Sequence, residues 1–238
     1  MAIAAREQQA AAELVDLETT PLRELNQRLH DLARVPGPAT WRIVNPNGAH
    51  AVACGLDADV EVQIEGHVGY YCAGMNKRAT VRIQGNASTG LAENMMSGFV
   101  VVDGNASQSA GATGRGGLLV VRGDAAARCG ISMKGIDIVV GGSVGHMSAF
   151  MAQTGSLVVC GDAGEALGDS IYEARLYVRG RVASLGADCI EKELRGEHLG
   201  ELSGLLEAAE IDADPAVFRR YGSARQLYNF RIDNAGAY

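Results

Sequence analysis

The sequence predicts an all-β fold: a right-handed parallel β-helix of about seven 19-residue coils, capped by short helical N- and C-terminal segments. Three observations carry this. Gly66, Gly85, Gly104, Gly123, Gly142, Gly161 and Gly180 recur at intervals of 19 without a slip, and a fixed period of this size marks a solenoid. Four and two residues before each glycine stand Val62/Ile64, Val81/Ile83, Val100/Val102, Leu119/Val121, Ile138/Val140, Leu157/Val159 and Leu176/Val178, all aliphatic. Alternation at period two is the pattern of a strand with one buried face. Two residues after each glycine a small apolar residue returns (Val68, Ala87, Ala106, Ala125, Val144, Ala163, Val182), so the inward alternation resumes beyond a corner.

The elements follow in order. Residues 1–40 read as an N-terminal helical extension: Thr20-Pro21 as helix N-cap and first helical residue, then Leu22, Leu25, Leu29 and Leu32 at helical spacing until Pro36-Gly37-Pro38. Such a segment covers the strand edge that a stacked sheet leaves open. Residues 41–195 are the β-helix, with Ile43 to Gly48 and Gly55 reading as a degraded eighth turn ahead of the clear coils. Within the coils, Gly90, Gly111, Gly130, Ala149, Gly168 and Gly186, and then Gly98, Gly117, Gly135, Gly155 and Ala174, mark two further corners. Each unit is thus read as three short extended segments joined by three bends. At ~4.8 Å per coil the rod is about 34 Å long, and right-handed winding follows from the hand that parallel crossovers take. Residues 196–238 read as a C-terminal helical segment and docking tail. Residues 197–210 form a weaker helix, Asp214-Pro215 opens a short one toward Arg220, and the aromatic-rich stretch 220–238 either packs on the last coil or docks on another subunit. A doubly wound α/β fold lacks its helices between residues 60 and 190, and a propeller blade needs ~40 residues.

Composition agrees: 31 glycines against 5 prolines suit a backbone that turns often. A formal charge of −7 gives no electrostatic reason to bind nucleic acid or an anionic membrane. Arg6, Glu7, Glu13 and Asp16 interrupt any leader-like apolar run, and no stretch approaches the ~20 apolar residues that span a bilayer, so a cytoplasmic location is expected. Five cysteines, an odd number, suit free thiols in a reducing compartment.

Because equal phases of successive coils line up in columns, a reactive site should show as reactive residues at one phase. Cys72 and Cys129 share a phase but lie three coils apart, roughly 14 Å at ~4.8 Å per coil, beyond disulfide reach. Cys54, Cys160 and Cys189 fall elsewhere, and no CxxC, HExxH or GxSxG occurs. The run Gly111 to Gly117 lacks the Lys-Ser/Thr of a phosphate loop, and its glycines already serve as corners. Asn86-Ala87-Ser88 and Asn105-Ala106-Ser107 look like glycosylation acceptors, yet the repeat accounts for both. No catalytic, cofactor-binding or metal-binding residue is therefore assigned. Lys77, Arg115 and Lys134 share one phase, interrupted by Met96, and read either as a solvated basic stripe or as a candidate interface for an acidic partner. Met75, Met95, Met133 and Met151, near one phase, read as core filling. A free-standing polysaccharide hydrolase or lyase would need acids stacked on neighbouring coils, whereas the outward residues Glu65, Gln84, Asp103 and Arg122 vary in charge.

The segments GHVGYYCAGMNKRA (66–79), ENMMSG (93–98), GNASQSAGATGRGG (104–117), ARCGISMKG (127–135), GSVGHMSAFMAQTG (142–155) and GDSIYEA (168–174) resemble the glycine-repeat (GXGXG) β-helix domain that ends the large subunit of glutamate synthase. The likeness covers roughly residues 45–195. A chain carrying this domain without amidotransferase or synthase domains most resembles the split version, the separate glycine-repeat subunit of N-methylglutamate synthase. The glycine-repeat subunit of formylmethanofuran dehydrogenase shares the pattern in another complex. The resemblance implies a structural subunit with no catalytic residue of its own. It implies a class II glutamine amidotransferase-like partner and a synthase partner carrying FMN and iron–sulfur clusters. The implied overall activity is that of a methylamine–glutamate N-methyltransferase, converting methylamine and L-glutamate to N-methyl-L-glutamate and ammonia. Nothing in the residues selects methylamine over ammonia.

Overall fold

The computed structural model describes residues 12–227. It is a parallel β-helix with two α-helices. The coil strands are β2 (Thr40–Val44), β3 (Glu61–Glu65), β4 (Thr80–Gln84), β5 (Phe99–Val102), β6 (Leu118–Val121), β7 (Asp137–Val140), β8 (Ser156–Val159) and β9 (Arg175–Val178). A short strand β1 (Glu13–Asp16) precedes them, and β10 (Cys189–Lys192) and β11 (Arg219–Ser223) follow. Strands β1 to β9 pair in parallel in sequence order, each glycine-marked coil in register with the next at an offset of 19, as in Val62↔Val81 and Val81↔Val100.

The seven glycines stack along the axis. The Gly104 N–H donates to the Gly85 carbonyl at 2.9 Å, and Gly123, Gly142, Gly161 and Gly180 each repeat that bond to the glycine below. Of the seven only Gly66 holds a left-handed φ. What the position requires is room, because a Cβ on Gly85 would lie 2.5 Å from the Gly66 carbonyl oxygen. The degenerate first turn is present as β2, paired with β3 at an offset of 21, Thr40↔Glu61. Asn45, with φ 53°, stands beside Gly66 where the later coils have glycine, which hides this turn from a search for glycine spacing.

All fourteen inward strand residues are at most 1 % exposed, and they fill the lumen as two aliphatic ladders. The other walls depart from three extended segments. The second wall is a single bridge per coil, Val68↔Ala87↔Ala106↔Ala125↔Val144↔Ala163↔Val182. The third is not extended: residues five, seven and nine past the glycine take positive φ, as in Tyr71, Ala73 and Met75 or Met147, Ala149 and Met151. Gly, Ala, Asn, Ser and Met recur there with no β-branched residue except Thr113, consistent with the steric cost of that region.

Helix α1 (Leu22–Asp31) closes the first coil, with Leu25 and Leu29, one turn apart, fully buried on the lumen. Pro21 is its N-cap, so the helix starts one residue later than Thr20-Pro21 suggests. The backbone groups at this end are satisfied by side chains. Asn26 donates Nδ2 to the Ala51 carbonyl at 2.9 Å and accepts from the Ala53 N–H at 3.1 Å, and His30 Nε2 donates to the Cys54 carbonyl at 2.7 Å. At the other end β11 inserts between β9 and β10, antiparallel to both. Residues 220–223 of the aromatic-rich stretch are therefore strand on the last coil, and a 3-10 turn, Pro215–Val217, precedes them. Residues 228–238 of that stretch, like Arg6 and Glu7, lie outside the described residues.

Helix α2 (Gly196–Ala208) lies on the outside of the coils. The outward residues in the middle of each strand run Gln63, Arg82, Val101, Val120, Val139, Val158, Tyr177, polar and then apolar from β5 onward. From Val101 to Tyr177 they are at most 2 % exposed beneath Leu202, Leu206, Ala209 and Phe218, forming a second core outside the tube. Full burial of an aliphatic side chain contributes roughly 1.5–3 kcal/mol, so this layer is a major share of the C-terminal half's stability.

Candidate interaction surfaces

The column of Lys77, Met96, Arg115 and Lys134 exists as a stack: their N–H groups donate to Leu56, Asn76, Met95 and Gly114 of the coil before. Lys77 and Arg115 are exposed and Lys134 half-buried. Lys77 is not free charge, since its ammonium lies 2.9 Å from the Asp57 carboxylate, which Arg78 also meets at 3.1 Å. Exposed pairs of this kind contribute about 0–1 kcal/mol. The four methionines divide. Met95 and Met133, ten residues past their glycines, point into the lumen and are fully buried, but Met75 and Met151, nine past, sit on left-handed residues facing out and are 53 % and 43 % exposed. Core filling therefore describes only the first two. With exposed Met96 and Tyr71, the outward pair gives this flank a mixed apolar and basic surface.

One residue past each repeat glycine runs a polar ladder that spacing alone did not reveal. The Asn86 N–H donates to His67 Nδ1 at 2.9 Å, Asn105 N–H to Asn86 Oδ1 at 2.8 Å, and Asp124 N–H to Asn105 Oδ1 at 2.8 Å. The series continues from Ser143 N–H to Asp124, Asp162 N–H to Ser143 Oγ, and Arg181 N–H to Asp162. The two glycosylation-like asparagines belong to this ladder. That last N–H bond, with the nearby Arg181 guanidinium, holds the Asp162 carboxyl below the usual range. Asn105→Ala removes an acceptor and leaves the Asp124 N–H to water. Its expected cost in urea unfolding is about 1 kcal/mol, and an unchanged midpoint would show the ladder to be incidental.

A cluster of perturbed ionisable groups sits where α2 meets the sheet. Glu201 accepts from Ser156 Oγ at 2.5 Å and Tyr177 OH at 3.1 Å and pairs with Arg175 at 2.8 Å. Burial, with Glu201 nearby, pushes the Asp137 carboxyl and the Tyr177 hydroxyl upward. Burial lowers His198, whose neutral Nδ1 accepts the Arg195 N–H at the start of α2. These groups pin the helix to the coils. Arg175, the most exposed of them, also lines a cleft beside the last coil.

All five cysteines are free. Cys72 and Cys129 lie in the lumen, where burial raises both thiols, Cys129 to about 12. Among the described residues no three His, Cys, Asp or Glu side chains gather as a metal site. No helix among them is long and apolar enough to cross a membrane.

No family model matches the chain. Over 226 residues it is 64 % identical to Protein GlxC of Rhizobium meliloti (strain 1021), covering 94 % of this chain and 99 % of that protein. An alignment this long takes in the coils together with most of the terminal segments, so the filled tube, its helical plug and its outer helix come as one unit. The chain belongs to the family of Protein GlxC.

Proposed function

We propose that the chain is a structural, non-catalytic β-helix subunit of a multi-subunit glutamate-synthase-like enzyme. The specific reading is N-methylglutamate synthase, which joins methylamine to L-glutamate with release of ammonia. The observation that carries the structural role is the lumen: fourteen aliphatic side chains at most 1 % exposed fill the tube, and burial suppresses ionisation of the thiols among them, Cys72 and Cys129. The glutamate-synthase assignment rests on the resemblance of the glycine repeat, and the amine on that resemblance alone. FMN and iron–sulfur clusters belong, on this reading, to a partner. The cysteines here do not suit a cluster, because Cys72 and Cys129 are lumen thiols on separate coils with their ionisation suppressed. The other partner is a class II glutamine amidotransferase-like subunit. The flank of Lys77, Arg115 and Lys134 with its exposed methionines is the surface we assign to docking, as methionine and arginine are enriched at interfaces with a polar rim around them.

The test is purification of the tagged chain from its native cell. The expected companions are an amidotransferase-like subunit and a yellow, iron-containing synthase subunit, while the chain alone is folded, colourless and inactive. Recovery of molybdopterin or tungsten subunits would assign the scaffold to a formylmethanofuran-dehydrogenase-like complex instead. A yellow and active single chain would end the structural reading.

A further inference from the structure

At the capped end, beside the last coil, lies a cleft of about 440 Å³ whose lining includes Arg175, Lys192, Arg220 and Arg225 against a single acid, Glu173. This is a local excess of positive charge on a chain whose formal charge is −7. Two of the cations are accounted for: Arg175 pairs with Glu201 at 2.8 Å and Arg225 with Glu173 at 2.8 Å. The other two are not. Lys192 and Arg220 form no ion pair among the described residues, and Arg220 spends only its Nε, on the Glu193 carbonyl at 2.9 Å. They are also direct cross-strand partners in the β10–β11 pairing. Like charges set opposite each other in an antiparallel pair are destabilising. Burial, and then Arg195 and Arg175, lower the Arg220 guanidinium, so the group already sits among other cations. Gly222 and Ser223 of the same strand also line the cleft.

We propose that this cleft binds a small dianion, a phosphate ester or a dicarboxylate, held between the Lys192 ammonium and the Arg220 guanidinium. A volume of about 440 Å³ is in the range of small-ligand sites, roughly 300–1,000 Å³. A doubly charged guest relieves the like-charge pair, and Arg supplies the planar fork that carboxylate and phosphate both accept. The inference is independent of the scaffold reading, because it concerns the chain by itself.

The experiment is thermal unfolding of the full chain with 10 mM glycerol 3-phosphate, succinate or a short oligoglutamate peptide, each against sodium chloride at equal ionic strength. One of the two small dianions is expected to raise Tm by about 3 °C or more, as millimolar binding to a domain of this size would, and which one does so distinguishes phosphate ester from dicarboxylate. That shift is expected to fall below about 1 °C in Lys192→Gln and in Arg220→Gln. Lys192→Gln should itself raise Tm in dianion-free buffer, a result that simple loss of folding cannot mimic. The proposal is overturned if neither small dianion acts, if both variants keep the full shift, or if only the oligoglutamate peptide stabilises, which would make the cleft a protein surface.

Discussion

Gly85→Ala is expected to destabilise the chain by about 3 kcal/mol or more, although no left-handed φ is involved. The added Cβ would lie 2.5 Å from the Gly66 carbonyl oxygen, 2.6 Å from its carbon and 2.9 Å from the His67 nitrogen, all backbone. A flexible side chain could swing away, but here a whole coil must move. The displaced coil carries the Gly104 N–H bond to Gly85 and the His67–Asn86 rung of the ladder, so both loosen. Urea unfolding followed by circular dichroism measures the loss, and hydrogen exchange at the Gly104 and Asn86 amides localises it. Gly204→Ala on α2 is the control: nothing lies within 4 Å of its added Cβ, so helix propensity should give a gain of up to ~1 kcal/mol. A Gly85→Ala chain as stable as the parent would show that the stacked glycines are not in close contact.

Leu119→Ala is expected to cost about 3–4 kcal/mol, lowering Tm by roughly 6–16 °C in a domain of this size. Leu119 sits in the middle of the lumen between Val100 and Ile138 on the neighbouring coils, fully buried. Across the tube a Cβ on Gly111 would come within 3.2 Å of its Cδ2, so the side chain reaches the opposite wall. The coils above and below are tied by parallel hydrogen bonds and cannot close over the vacancy, which keeps the cost off the lower end of the range for such truncations. Leu119→Ile keeps the volume and should cost less than ~1.5 kcal/mol. A Leu119→Ala loss under about 1 kcal/mol, below the usual span for such truncations, would mean a loosely filled tube.

The period and the strand faces were legible because each states its physics in one-residue steps. A glycine every nineteenth residue and an aliphatic pair ahead of it leave one solution, a stacked tube with strands in register. Less legible was the wall carrying Tyr71, Ala73 and Met75, which reads as extended by elimination. The left-handed conformations there are shared by glycine, alanine, serine and methionine, so composition alone does not announce them. The outer core was written in the sequence as adjacent valines, Val100-Val101 through Val158-Val159, but doublets look like ordinary strand residues until α2 is seen lying on them. At the candidate sites, the basic column of Lys77, Arg115 and Lys134 was visible because it repeats. The Lys192–Arg220 pair was not, because β10 and β11 are 27 residues or more apart in sequence and meet only where the chain reverses.

That reversal decides how this protein can vary in length. A parallel stack extends by pure translation, so any coil can be followed by another copy of itself, and nothing in the period says where to stop. β11 runs against β9, and no further coil of the original sense can dock on it in the same register. The last coil is thus a terminus in the way a chain-terminating monomer is one, and a duplicated 19-residue unit could enter only upstream. Inserted beneath α2 it would push one end of that helix's footprint along by a strand spacing, about 4.8 Å, out of step with Leu202 and Leu206. Inserted between β2 and β5, where the outer face is polar and bare, it would disturb no such match, so length variants of this fold should gain or lose coils in that first half.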